Sequence, residues 1–492
     1  MSEAERHVVI VGGGITGLSC ARALVRLSSV AARPVPLRIT LCERSARAGG
    51  NIVTENRSGF VLDGGPDSWL TTKPHAEKLA RELRLGPELI STVETHRGAY
   101  VAWGKALHRI PEGLVLGVPT SVRPMAMSTL FEWDAKLRMA LEPLIPRRIY
   151  HDDEDESVSA FMSRRLGDEL ADRLAAPLLG GIFAGDADAI SVRAAFPQFV
   201  AAERDHGSLI LAMRAQRRAR EQSAEGESEK PKAGFMSLQG GLGSLIEALT
   251  RELGVESRAR QAAHLRDVDL RTACTVQSIA RLPPDDPRGR YAVETSRGVE
   301  VADEVVLAGP THASAGIVRP LDGALADTLD RVLDYASTAI VFVAFKRAQV
   351  GHALDATGFI VPRTLGRKIL AATWVSSKWD HRAPAGHVLM RAFFGGAGRE
   401  EVLAADDDEL ADLALRELRV FTPIDGRPLF SRVFRFHRAS PQPYLGHLAR
   451  VRGLTEALTR HPGLYAAGSG LDGVGIPDCI RQGENIARQI VG

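Results

Sequence analysis

The sequence predicts an α/β fold in three parts: a discontinuous domain on a parallel sheet, a second domain with a mixed sheet, and an inserted helical lobe. Three observations predict it. A β-branched run at residues 7–11 leads into a glycine-rich turn, a helix pattern and a second strand, which together make a βαβ unit. Apolar residues then recur at helical spacing between Met125 and Arg220. Near the C-terminus, residues 464–468 repeat the strand-to-glycine-turn pattern and run into a last helix, so the chain returns to its first domain.

The first strand ends at Gly12, and Gly12-Gly13-Gly14-Ile15-Thr16-Gly17 opens an Ala- and Leu-rich helix, residues 18–27. After a Pro-containing loop, residues 37–43 form a strand ending in an acid, Glu43, which completes a Rossmann-type half. In the helical lobe, Leu130, Leu137 and Leu141, then Val158, Phe161, Met162 and Leu166, mark apolar helix faces. Residues 221–234 are polar, charged and poor in apolar side chains, the composition of a flexible boundary loop. Strand-rich stretches return at 273–279, 291–295, 299–307, 338–345 and 388–394. The last helix carries Ile480, Ala487 and Ile490. The resulting division assigns 1–85, 234–315 and 446–492 to the nucleotide-binding domain, 86–114 and 316–445 to the mixed-sheet domain, and 115–233 to the lobe.

At 492 residues the chain suits a composite enzyme, since a single domain takes about 150 residues. Its 45% hydrophobic and 25% charged content supplies a sizeable core and excludes wholesale disorder. Lys plus Arg number 62 against 60 acids, and a net charge of +2 gives no field for nucleic acid. Cys20, Cys42, Cys274 and Cys479 lie far apart, with no C-x-x-C pair and no His at ligand spacing, which argues against a metal centre or a disulfide scaffold. The acidic start runs directly into a strand and lacks a signal peptide's basic and apolar regions, so a cytoplasmic protein is expected. The longest apolar run, residues 339–345, suits a buried strand rather than a membrane span.

In the glycine turn, Gly12 permits the tight bend, Gly14 the close approach of a pyrophosphate, and Gly17 the packing of helix on strand. The helix N-terminus, with Gly13, Ile15 and Thr16, then faces the phosphates. Glu43 is placed to accept hydrogen bonds from both hydroxyls of an adenosine ribose, which disfavours a 2'-phosphate and predicts a dinucleotide. The continuation Glu43-Arg44-Ser45-Ala46-Arg47-Ala48-Gly49-Gly50 resembles the FAD signature of the amine oxidase superfamily. There Arg47 offers a fork of donors to the pyrophosphate, and Gly49 and Gly50 let the backbone pass beneath the ribityl chain. Gly65, Pro66, Asp67 and Ser68 form a turn able to skim a flat ring. Pro477 can open a helix whose first amides, at Gly475 and Ile476, face the flavin edge where charge collects on reduction.

Across nearly the whole chain the sequence resembles the protoporphyrinogen oxidase family. The resemblance rests on residues 12–17, 47–50, 65–70, the stretch Gly180-Gly181-Ile182-Phe183-Ala184-Gly185-Asp186, Gln239-Gly240-Gly241-Leu242, Tyr444-Leu445-Gly446-His447 and residues 473–480. It implies a discontinuous Rossmann-type FAD-binding domain, a mixed-sheet substrate domain and a helical membrane-associating lobe. It also implies that Val276 brings its backbone to the adenine, that residues 65–68 line the isoalloxazine, and that Val474, Gly475 and Ile476, with Gly468 and Leu448, stand around the ring. Gly181 would offer its backbone to pyrrole N–H groups while Leu178 packs on the tetrapyrrole. Many relatives pair an Arg with a substrate propionate where this chain has Ala99; Arg97, on the same strand face if that stretch is extended, is the substitute expected.

The activity implied is six-electron oxidation of protoporphyrinogen IX to protoporphyrin IX in haem synthesis, in three two-electron rounds with oxygen as acceptor. The protein mainly positions and desolvates. His312, His437 and His447 are read as structural, and no side chain is named as catalytic. The alternatives are coproporphyrinogen III oxidation, an amine oxidase or carotenoid desaturase, and a tetrapyrrole carrier; the 5% aromatic content speaks against an amine cage. For the lobe, Leu114, Val115, Leu116, Val118, Met125, Met127, Leu130, Phe131, Trp133 and Leu137 are expected to form an apolar surface. With Arg138, Arg147, Arg148, Arg164 and Arg165 nearby, that surface is expected to bind a membrane peripherally. A homodimer and hand-over of product to a ferrochelatase complete the expected partners.

Overall fold

The computed structural model describes residues 5–30, 36–151, 154–223, 234–262 and 268–492. The strands Val268–Arg271, Leu37–Cys42, Arg6–Val11, Glu304–Leu307 and Leu464–Ala466 form, in that order, a five-stranded parallel sheet. Its interior strands read as near-continuous Val, Ile and Leu because helices and loops cover both faces. Leu37–Cys42 and Glu304–Leu307 flank Arg6–Val11 on opposite sides, so the connections diverge there and leave a crevice at its carboxyl end. The helix Ile15–Val30 packs on Ile476–Val491, from the far end of the chain. Gly483 makes that approach possible, since a Cβ there would overlap the Thr16 carbonyl oxygen.

The run 299–307, read above as one stretch, divides between two sheets. Gly298–Ala302 closes an antiparallel meander with Tyr291–Thr295 and Val276–Arg281, whereas Glu304–Leu307 joins the parallel sheet. Asp303 makes the break: its N–H donates to the His7 carbonyl at 2.9 Å and its carboxylate accepts from the His7 N–H at 2.8 Å. A seven-stranded sheet runs Phe430–Gln442, Asp334–Lys346, His387–Gly395, Ala371–Trp374, Gly358–Ile360, Tyr100–Trp103, Ala106–Arg109. It is mixed because Gly358–Ile360 pairs parallel with Tyr100–Trp103 while its other neighbours are antiparallel. Residues 339–345 are buried in its centre.

Between these strands lie short helices, among them Trp133–Ala140, Val158–Leu166, Ala176–Phe183, Pro197–His206 and Leu209–Ser223, around a core of their own. The last of them runs three residues into the expected 221–234 loop; residues 224–233 of that loop lie outside the described residues. Part of the expected apolar surface turns inward, with Val118, Met125, Leu130 and Phe131 buried. Arg165 is also inward, 0% exposed, because Glu142 and Glu203 pair with it from two other elements. Arg164 bridges Glu156 at 2.9 Å and Glu203 at 2.7 Å, so neither arginine is presented as a free cation.

Candidate functional site

The crevice at the end of Arg6–Val11 collects most of the predicted residues. Gly12 has φ +110°, and a Cβ there would press within 3.1 Å of the Ala308 carbonyl. A Cβ on Gly17 would overlap the Gly12 carbonyl oxygen. A Cβ on Gly14, by contrast, meets no protein atom within 4 Å. Gly12 and Gly17 thus shape the turn, and Gly14 exposes the backbone at the start of Ile15–Val30, where Ile15 and Thr16 are buried. Gly49 donates its N–H to the Gly13 carbonyl at 2.8 Å and bridges Gly14, and a Cβ on Gly50 would lie 3.4 Å from the Gly14 Cα. The 12–17 and 47–50 segments form one cradle of backbone at a helix N-terminus, which fits a diphosphate.

Glu43 is buried, with Oε2 accepting from the Gly13 N–H at 2.8 Å and Oε1 from the Ser45 N–H at 2.7 Å. A carboxylate has about four lone-pair positions, so both oxygens retain capacity for ribose hydroxyls. Cys274 N–H donates to the Glu43 carbonyl and Ala273 N–H to that of Ser45, each at 2.8 Å, bringing buried Val276 to the same corner. Arg44 is exposed. Arg47 departs from the expected fork toward a pyrophosphate: its guanidinium donates to the carbonyls of Ala48, Gly50 and Ile52 at 3.1, 2.8 and 3.0 Å. It holds the shape of the 48–52 turn.

Beyond that turn, a Cβ on Gly65 would overlap the Asn51 carbonyl oxygen, so Gly65 lies directly against it; Gly65 is buried and Pro66, Asp67 and Ser68 are half-buried. Asp67 accepts from Lys378 Nζ at 2.7 Å, Trp379 Nε1 at 3.1 Å and Ser68 Oγ at 2.8 Å. Burial alone would raise its pKa, but Lys378 and Arg391 outweigh it and hold the carboxyl well below the usual range. On the opposite side, Gly468 has φ +153°, and its N–H donates to Gln482 Oε1 at 3.1 Å. Gly475 caps the helix Ile476–Val491, and its N–H donates to Asp478 Oδ2 at 3.2 Å. Asp478 in turn is gripped by Lys73. Val474 is half-buried and Ile476 buried.

The helix Ala176–Phe183, which carries the residues expected to meet the substrate, follows a π-helical turn, Ala171–Ala175, a distortion frequent at functional sites. Leu178 is half-buried, Gly181 exposed, and a Cβ on Gly181 meets nothing within 4 Å. Gln442 Nε2 donates to the Phe183 carbonyl at 2.9 Å and Arg363 to that of Gly185 at 2.9 Å, which docks this segment on the mixed sheet. Leu445 N–H donates to the Ala189 carbonyl at 2.9 Å and places Leu448, on the first turn of His447–Leu458, beside the same segment. His312 and His447 have pKa values lowered first by burial, which suits neutral structural rings.

Arg97 does not meet its condition. Residues 94–96 form a 3-10 turn and Gly98 takes φ +92°, so the stretch before Tyr100–Trp103 is not extended; Arg97 is exposed and pairs with Glu94 at 3.2 Å. The sequence reading missed Arg391, Arg382, Lys378 and Lys73. Arg391 carried a signal, one charge inside the apolar run of His387–Gly395. Among the described residues no cluster of three or more His, Cys, Asp or Glu could hold a metal.

Residues 15–491 match the family described as flavin containing amine oxidoreductase. The coproporphyrinogen III oxidase of Bacillus subtilis (strain 168) is 34% identical over 488 residues, covering 98% of this chain and 97% of that protein. That of Staphylococcus aureus (strain NCTC 8325 / PS 47) is 30% identical, covering 99% of both. Protoporphyrinogen oxidase 1, chloroplastic, of Arabidopsis thaliana is 28% identical over 96% of this chain and 85% of its own. A crystal structure from Exiguobacterium sp. 255-15, named for protoporphyrinogen oxidase, superposes with TM-score 0.82 at 32% identity, covering 99% of this chain and 98% of that one.

Proposed function

This chain belongs to the flavin-containing amine oxidoreductase family, and from that premise we propose that it oxidises a porphyrinogen to a porphyrin in haem synthesis, with FAD as cofactor and oxygen as acceptor. The observation that carries the reading is end-to-end similarity to porphyrinogen oxidases in a chain that keeps the diphosphate cradle around Gly14. FAD bound there supplies the two-electron acceptor.

The protein's part is binding, orientation and exclusion of water. Gly12, Gly13, Gly14, Ile15, Thr16 and Gly17 hold the diphosphate, Glu43 the ribose and Val276 the adenine end, with Gly49 and Gly50 beneath the ribityl chain. Residues 65–68 and 474–476, with Gly468 and Leu448, frame the flavin ring, while Leu178 and Gly181 meet the macrocycle. The three-part division of the chain given above is the domain organisation we adopt.

Coproporphyrinogen III is the favoured substrate, because the bacterial relatives named for it resemble this chain more than the plant relatives named for protoporphyrinogen. The sequence alone ranked protoporphyrinogen IX first. Anaerobic mixing with each porphyrinogen, followed by flavin bleaching, tests both levels. Faster bleaching by coproporphyrinogen III is expected, and absence of bleaching by either would refute porphyrinogen oxidation.

We place the protein on the cytoplasmic face of a membrane, bound peripherally through the lobe. No helix among the described residues is long and apolar enough to cross a bilayer. Yet Val122, Met127, Trp133, Leu137, Leu144 and Ile149 are well exposed, beside Arg123, Lys136, Arg147 and Arg148. Homodimerisation and hand-over of the porphyrin to a ferrochelatase remain part of the proposal on the family resemblance.

A further inference from the structure

Arg391 is a charge buried at the heart of the mixed sheet, 4% exposed. Its Nη2 donates to the Gly65 carbonyl, its Nη1 lies 3.9 Å from Asp67 Oδ2, and its Nε has no hydrogen-bond partner among the described residues. The ring of Phe393 lies 4.6 Å from the guanidinium carbon. Next to it Arg382, also buried, pairs with Asp63 at 3.0 Å, and its Nε and Nη1 have no partners among the described residues. Both arginines line a cavity of about 10 Å³ with Asp63 and Asp67, room for one water that would serve those N–H groups.

A buried guanidinium is costly unless a counter-charge is dedicated to it. Arg391 has none, since Asp67 is held more closely by Lys378, at 2.7 Å. Burial accordingly pulls its pKa below the ordinary guanidinium range. Among the described residues the carboxylates paired with Lys378, Arg382 and Arg391 are Asp63 and Asp67, so the cluster carries an excess of positive charge. That excess sits directly behind the 65–68 turn.

We propose that Arg391 is a positioning residue for the flavin reaction, fixing the turn through the Gly65 carbonyl and favouring the reduced, anionic ring by its charge. This rests on the reading that residues 65–68 line the isoalloxazine. Preorganised charge acts in a dry site without reorganising during the reaction, which is why a buried cation here does more than a surface one.

Arg391→Gln keeps a donor for Gly65 without the charge, and Arg391→Lys keeps the charge without the fork. For Arg391→Gln the expected result is normal FAD content, a flavin midpoint potential more negative than wild type, and reduction by porphyrinogen slowed about tenfold. Arg391→Lys should keep a potential close to wild type. A wild-type potential and reduction rate in Arg391→Gln would overturn the proposal, as would equal shifts in both variants. Should Arg391→Gln not fold, Lys378→Gln removes a cation from the same cluster, and an unchanged potential there overturns it equally. A Ser68→Trp variant with an unaltered flavin spectrum would instead refute the placement of the turn at the ring.

Discussion

Gly14 and Gly17 stand three positions apart on one turn and answer to different physics. A Cβ on Gly14 meets no protein atom within 4 Å, so Gly14→Val should fold with a melting temperature near wild type yet emerge from gel filtration without flavin. A Cβ on Gly17 collides with the Gly12 carbonyl, so Gly17→Ala should lose about 1–3 kcal/mol in denaturant melts. Asp67 gives a third expectation. Asp67→Asn leaves Lys378 without its carboxylate and removes the nearest acid to Arg391, and should cost about 3–5 kcal/mol at neutral pH. The Asp67 pKa is depressed in the fold, so its contribution is complete above the unfolded value, about 3.9, and is lost as pH falls toward the folded one. The gap between wild type and Asp67→Asn should therefore hold steady from pH 5 to pH 8, by about 0.5 kcal/mol or better, and narrow only in stronger acid.

Helices of the lobe are tied by buried ion pairs in addition to apolar packing. Arg165, on Val158–Leu166, reaches Glu142 Oε1 from Nε at 2.8 Å, the Ile145 carbonyl at 3.0 Å and the Gly207 carbonyl at 2.8 Å. Arg165→Met should leave the buried Glu142 carboxylate without its cation while Glu203 keeps Arg164, cost about 3–5 kcal/mol, and raise amide exchange in residues 154–223 more than in the parallel sheet. Sequence patterning identified these helices because their periodicity is local, and it identified the 12–17 turn because a glycine's need is written in its own position. It did not separate Arg165 from Arg147, since partners such as Glu142 and Glu203 come from distant segments. The same limit explains Arg47, whose acceptors depend on how its loop curls, and Arg97, whose strand is broken by a positive φ at Gly98. Arg391 was readable only as an oddity within an apolar strand; its meaning comes from Gly65, which folding brings to it.

At the scale of the whole molecule, residues 122–149 concentrate large exposed apolar side chains among the described residues; Trp133 is 72% and Leu144 76% exposed. Flotation with anionic vesicles at low salt should carry the wild type upward. Trp133→Glu combined with Ile149→Glu should leave it at the bottom with flavin content intact, and flotation unchanged by those substitutions would remove the lobe from membrane contact. The parallel sheet has a further implication for how the protein is made. Its outer strand Leu464–Ala466 and the helix Ile476–Val491 close a site that opens at Gly12. At about 5–20 residues per second, a ribosome takes roughly half a minute to a minute and a half to travel from one to the other. Throughout that interval the nascent glycine turn has no closing wall, so on the proposed placement of the flavin its capture should wait on the last stretch of translation, and a stalled or shortened chain should emerge colourless.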